Sequence, residues 1–350
     1  FITMAYILAV NPNILGASGM DRGAVFTATA LASAIATFIM AFLANYPIAL
    51  SAGMGLNAYF AFSVCLTELD GVTDPWTIAL TAVLVEGIVF ILLSFFKFRE
   101  TIVNVIPQNL KYGITAGIGL FIAFIGLQGA GVVIPDPSNS TIVALGDFSK
   151  PQFALCMLGV LLIAVLSHFK IKGAILWGIL ATWIFGIFAQ LGGWYAVDID
   201  AGVYSLISSI TPQALVPPSI APTFMKFNFS WIAENLPSFL VIVFSFLFVD
   251  MFDTVGTVIG VADKANLLDK DGKLPRVGRV LMADAIGTTV GACLGTSTIT
   301  SFVESSSGVA EGGRTGLTAL TTGLMFIAAL FLSPVFLAIP GFATAPALII

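Results

Sequence analysis

The chain has 350 residues, 58% hydrophobic and 9% charged, with a mean hydropathy of +1.03. That is too few charges to cover a water-soluble globule of this size, so an integral membrane protein is expected. The net charge of −5 comes with no basic patch suited to nucleic acid, and Cys65, Cys156 and Cys293 lie in apolar segments without metal-ligand spacing, so no cofactor or metal is expected.

Apolar runs of about 20 residues, each able to cross a hydrocarbon core of roughly 30 Å, recur along the whole chain. They fall at residues 1–15, 25–43, 48–66, 76–95, 112–131, 153–168, 174–191, 237–261, 277–294, 299–309 and 315–332, and a twelfth begins at 342. Phe1 and Ile350 both fall inside such runs, which leads us to expect a fragment trimmed at both ends, with no signal peptide visible. The run at 48–66 is broken early by Gly53 and Gly55. The run at 299–309 is short, rich in Ser and Thr, and closed by Gly308. Each is expected to be an extended piece leading into a half-helix.

With a cytoplasmic amino terminus, the inner loops hold Lys97, Arg99, Lys111, Lys170, Lys172, Lys264, Lys270, Lys273, Arg276, Arg279 and Arg314, eleven of the fourteen basic residues. Only Arg22, Lys150 and Lys226 then lie outside, and the segment 192–236, carrying Asp198 and Asp200, is an external connection. A shift of 251 positions lays Ala34, Ile35, Thr37, Ala41 and Leu43 on Ala285, Ile286, Thr288, Ala292 and Leu294. Seven segments separate the copies, so the second enters the membrane from the opposite side, the inverted-repeat plan of secondary transporters. Residues 1–191 form the first repeat and 237–350 an incomplete second one.

Asp250 and Asp253 lie one helical turn apart in an apolar run and share a face. Acids at bilayer depth cost several kcal/mol and mark substrate or proton pathways, although such a pair can also cap neighbouring helices. Glu304, followed by Ser305, Ser306 and Ser307, suits the first turn of a half-helix, as a ligand-facing carboxylate or as a cap. Asn57 is its early counterpart, an amide for a ligand or for gluing helices together. Asp284, near Arg279, reads as structural; Glu86 is ambiguous; Glu311 and Arg314 read as a solvated or structural pair; His168 reads as a surface residue. Gly287, Gly291 and Gly295 form a flat ridge for close helix contact. The 267–273 stretch reads as a turn, with too few ligands for calcium.

With these stretches in hand, the chain resembles the AzgA-like purine permeases of the nucleobase–ascorbate transporter superfamily, over essentially all 350 residues. The resemblance is carried by residues 1–12 (FITMAYILAVNP), 51–58 (SAGMGLNA), 248–257 (FVDMFDTVGT) and 296–313. It implies an all-α polytopic fold of seven plus seven inverted segments, with core and gate domains and two half-helices. It also implies proton-coupled import of adenine, guanine or hypoxanthine across the cell membrane. Asn57, Asp250 and Glu304 fall on positions held to bind the base, and Asp253 on one tied to transport. Proton coupling is expected to involve Asp253 and Glu304.

A neutral purine offers N–H donors for carboxylates and ring acceptors for Asn57 or a hydroxyl such as Ser305, while Phe252 or Phe302 could stack on it. Three alternatives stay open: an anion or other-solute transporter of the same fold, a channel, and an intramembrane aspartyl protease pairing Asp250 with Asp284. The preferred purine, proton against sodium, and oligomeric state, a homodimer included, are not legible at this level.

Overall fold

A computed structural model describes residues 1–95, 108–135, 143–197, 205–207, 216–267 and 274–350. Lys97, Arg99, Asp198, Asp200, Lys270 and Lys273 lie outside the described residues, as does most of the 267–273 turn.

The first half runs α1 (Ile7–Gly16), α2 (Arg22–Ile39, continued as a π-helical turn Met40–Ala44), β1 (Leu50–Ala52), α3 (Met54–Ala58, continued as a π-helical coil Tyr59–Glu68) and α4 (Pro75–Phe95). It goes on through α5 (Gln108–Gly129), the strands β2 (Val133–Pro135) and β3 (Val143–Leu145), α6 (Pro151–His168) and α7 (Ala174–Leu191). The second half holds α8 (Ser230–Glu234), α9 (Leu236–Lys264), α10 (Val277–Leu294), β4 (Ile299–Ser301) and α11 (Ser305–Ala310). It ends with α12 (Gly316–Ala329), α13 (Ser333–Ala338) and α14 (Gly341–Ile349). Among the described residues, seven helical stretches are long and apolar enough to cross a membrane. The β2–β3 hairpin was not expected, because its three-residue strands are too short to show a period-two pattern.

β1 and β4 pair antiparallel in the middle of the bundle, Leu50 opposite Ser301, Ser51 opposite Thr300 and Ala52 opposite Ile299. Two three-residue strands cannot satisfy their own backbone, and in a bilayer every unsatisfied group costs several kcal/mol. The helices on either side supply the partners. Thr37 of α2 accepts from Leu50 N at 3.0 Å and donates to Leu50 O at 3.2 Å, and Thr288 of α10 donates to Ile299 O at 2.9 Å. Ser33 and Ser51 join hydroxyls at 2.7 Å. Thr37 and Thr288 are themselves equivalent under the 251-residue shift.

Ala36 and Gly287 are also equivalent under that shift, and they touch. A Cβ on Gly287 would lie 2.8 Å from that of Ala36. Matching residues of the two copies meet each other only where a two-fold axis passes between them, and the antiparallel strands lie on the same line. The half-helix starts obey the shift as well, α3 at Met54 and α11 at Ser305.

At one end of the bundle a strap at residues 217–228, exposed to half-buried apart from the buried Thr223, ties three helices together. Pro218 O accepts from Thr27 of α2 at 2.8 Å, Met225 N donates to Cys293 O of α10 at 2.9 Å, and Asn228 N donates to Thr81 of α4 at 2.9 Å. Gly295 closes α10 at a φ of +99°, and a Cβ there would strike Thr223 at 2.3 Å. At another point of the surface Glu311 pairs with Lys172, correcting the expected Glu311–Arg314 pair. Arg314 donates instead to the carbonyls of Val309 and Gly313, where the end of α11 leaves free acceptors.

Candidate functional site

Glu304 is the N-cap residue of α11, yet its side chain makes no capping bond. Its Oε1 accepts from the hydroxyl of Tyr6, a fully buried residue just before α1, so the carboxylate is aimed across the bundle instead of along its own helix. Asp253 on α9 lies within electrostatic reach of both Glu304 and Tyr6, and its carboxylate stands near Thr300 of β4. Gly53, the N-cap of α3, completes the group. A Cβ there would lie 2.9 Å from Thr300 Oγ1, too close without a shift of that side chain, and 3.5 Å from Asp253 Oδ2, an ordinary contact, so the glycine makes room for Thr300 beside the carboxylate.

Asn57 is buried one turn into α3. Its Oδ1 accepts from Ser297 and its Nδ2 donates to Ala52 O at 3.4 Å. Ser305 accepts from Ala49 N at 3.0 Å, which pins the start of the early extended stretch to the late half-helix. Phe302 N donates to Ala49 O at 3.0 Å, placing its buried ring beside the same crossing.

Asp253 lies on the Glu304 side of α9, beside Gly53. Asp250 is fully buried behind it, facing α10: Thr254 Oγ1 lies 3.2 Å from Asp250 Oδ1 and 3.0 Å from Asp284 Oδ2. Phe252 sits in an apolar cluster with Phe90, Met251 and Ala285, separate from the one that holds Phe302, and meets Phe248 edge-on at 4.7 Å. Sequence reasoning missed Tyr6 and Thr300. Tyr6 stands inside the 1–12 motif, and its position 298 residues from Glu304 gives no spacing to read. Thr300 reads as strand-forming, which it is, but alternation along a strand also sends one side chain to each face.

Two inverted halves crossing through short paired strands, with acids held at the crossing, define a secondary transporter. The chain belongs to the family whose model carries the description "Permease family" and matches residues 1–350, so it is a permease and not an enzyme. A putative permease of Methanocaldococcus jannaschii is 49% identical over 350 residues, covering 100% of this chain and 75% of that protein. The guanine/hypoxanthine permease PbuO of Bacillus subtilis is 47% identical, with 100% and 77% covered, and the adenine permease AdeP of Escherichia coli 40%, with 100% and 73% covered. Among solved structures, the transmembrane domain of a cyanobacterium bicarbonate transporter, BicA, matches with a TM-score of 0.73 at 15% identity, over 99% of this chain and 84% of that one. At that identity the likeness concerns the fold.

Proposed function

We propose that this permease imports purine nucleobases across the cytoplasmic membrane in symport with protons, with its amino terminus on the cytoplasmic side. The observation that carries the reading is the Tyr6–Glu304–Asp253–Thr300 group at the crossing of the half-helices, in a chain whose relatives bear the names of adenine and guanine/hypoxanthine permeases. A neutral base can donate N–H bonds to Glu304, meet the Asn57 amide and lie against Phe302. Two carboxylates this near each other in a dry site cannot both carry charge cheaply, so Asp253 and Glu304 are the natural pair to share and release a proton. A neutral substrate feels no membrane potential. Accumulation then needs the cation, which supplies about 2.3 kcal/mol per 100 mV and about 1.4 kcal/mol per pH unit.

Asp250 enters this proposal from behind, setting the depth of α9 through Thr254 and Asp284. The helices divide into a core domain around the strand pair and a gate that includes α5 to α7. The second reading, an anion transporter, draws on the fold shared with BicA, but Asp253 and Glu304 would repel its substrate. Uptake of radiolabelled adenine, guanine and hypoxanthine into proteoliposomes, with and without an imposed pH gradient, tests the proposal. Uptake of bicarbonate or chloride with none of purine would establish the second reading.

A further inference from the structure

Glu86 is a fully buried acid that the site described above does not use. It lies midway along α4, where α4 and α10 touch backbone to backbone: a Cβ on Gly87 would fall 2.5 Å from Thr289 Oγ1 and 2.9 Å from Thr289 N. α4 is thus fixed against α10 at this level, and Glu86 projects from a rigid base. Its Oε2 accepts from Thr298 Oγ1 at 2.8 Å.

Thr298 ends the extended connector 296–298 between α10 and β4, a stretch with no regular backbone bonding of its own, which at membrane depth must be held from outside. Its three side chains reach four different elements, Thr296 meeting the Thr29 hydroxyl of α2 at 3.2 Å as well as α1. Thr296 accepts from Asn11 of α1 at 2.9 Å, Ser297 donates to Asn57 of α3, and Thr298 donates to Glu86 of α4. The Thr298 carbonyl accepts from Gly53 N at 3.1 Å. A bonded path therefore runs from Glu86 through Thr298 to Gly53, the N-cap of the α3 half-helix, and one residue back to the amide of Asn57.

We propose that Glu86 is a positioning residue of the substrate site: by holding Thr298 it sets the connector, and through it the Gly53 start of α3 and the orientation of Asn57. The inference rests on the purine reading of that site. What the position requires is an oxygen that accepts the Thr298 hydroxyl, so an amide should serve and an apolar side chain should not.

The test is equilibrium binding of adenine and hypoxanthine to purified full-chain protein in nanodiscs, alongside maximal uptake rate in proteoliposomes, for Glu86→Gln, Glu86→Leu, Thr298→Val and the Leu/Val double variant. Glu86→Gln is expected to bind within about twofold of the unaltered protein. Glu86→Leu and Thr298→Val should each weaken binding about tenfold, and the double variant no more than either alone, because both cut the same bond. Maximal rate should fall less than affinity. Losses that multiply in the double variant, wild-type affinity in either single variant, or a Gln variant as weak as Leu would each overturn the role. Should Glu86→Leu fail to fold, Thr298→Val, which keeps side-chain shape, decides the matter alone. An unaltered protein that binds no purine would overturn the purine reading, and this inference with it.

Discussion

At residue 53 the first half enters its half-helix through a glycine, and at residue 304, 251 positions later, the second enters through a glutamate. The frames match, down to antiparallel strands and a threonine from the flanking helix on each strand. The chemistry does not. The early arm leaves a gap bordered by Thr300 and the Asp253 carboxylate, and the late arm fills the equivalent place with its own acid, held by Tyr6. The glycine-for-glutamate difference gives an otherwise symmetric crossing a chemical polarity.

The sharpest way to break this comparison is Glu304→Gln, which keeps size and one acceptor but removes the charge. Purine affinity should fall about ten- to a hundredfold, and its pH dependence should flatten. Unchanged affinity and pH profile in a binding titration would reduce Glu304 to a structural role. Next comes Gly53→Ala, which makes the arms more alike. The added methyl meets Thr300 beside Asp253, and overpacking of about 1–3 kcal/mol should lower uptake by roughly ten- to a hundredfold, toward the lower end if Thr300 rotates. Uptake kinetics at wild-type level would show that Asp253 does not need the gap.

Asp253→Asn and Asp250→Asn sharpen the comparison further. Asp253→Asn keeps the size of the side chain and removes only its proton-carrying charge, so this variant should spare most equilibrium binding while cutting proton-driven accumulation at least about fivefold. The sequence pattern ranks Asp250→Asn as the stronger binding defect, and its place on Thr254 behind the crossing predicts a milder one, about threefold. Binding isotherms of the two variants side by side separate these. Tyr6→Phe deletes one hydrogen bond to Glu304 and should weaken binding about three- to tenfold. Phe252→Leu should change affinity by less than about twofold, since that ring packs with Phe90 and Ala285.

Much of this was legible in the sequence. Helix α10 spans Val277–Leu294 as its apolar run foretold, and the broken runs became strands followed by half-helices because glycines, serines and β-branched residues interrupt the apolar pattern there. Acids are rare at such depth, which is why the sequence pointed to Asp250 and Glu304 for the base and to Asp253 with Glu304 for proton coupling. Which of two acids on one helix face lies toward Glu304 was not legible, because about 60° of rotation separates them and only packing fixes it. Tyr6 carried no periodic signal, and the π-helical stretch Tyr59–Glu68 that lengthens α3 has the same composition as an α-helix.

The strap at 217–228 has a bearing on how the permease opens. It is bonded to α2, α4 and α10 at once; α2 and α10 flank the strand pair, and α4 packs on α10. Their ends on that side are therefore cross-braced like the legs of a stool, and any rocking of one must carry the other two. A disulfide engineered between the strap and α2, which the Thr27–Pro218 bond already joins, should leave uptake in proteoliposomes at the level of the reduced protein.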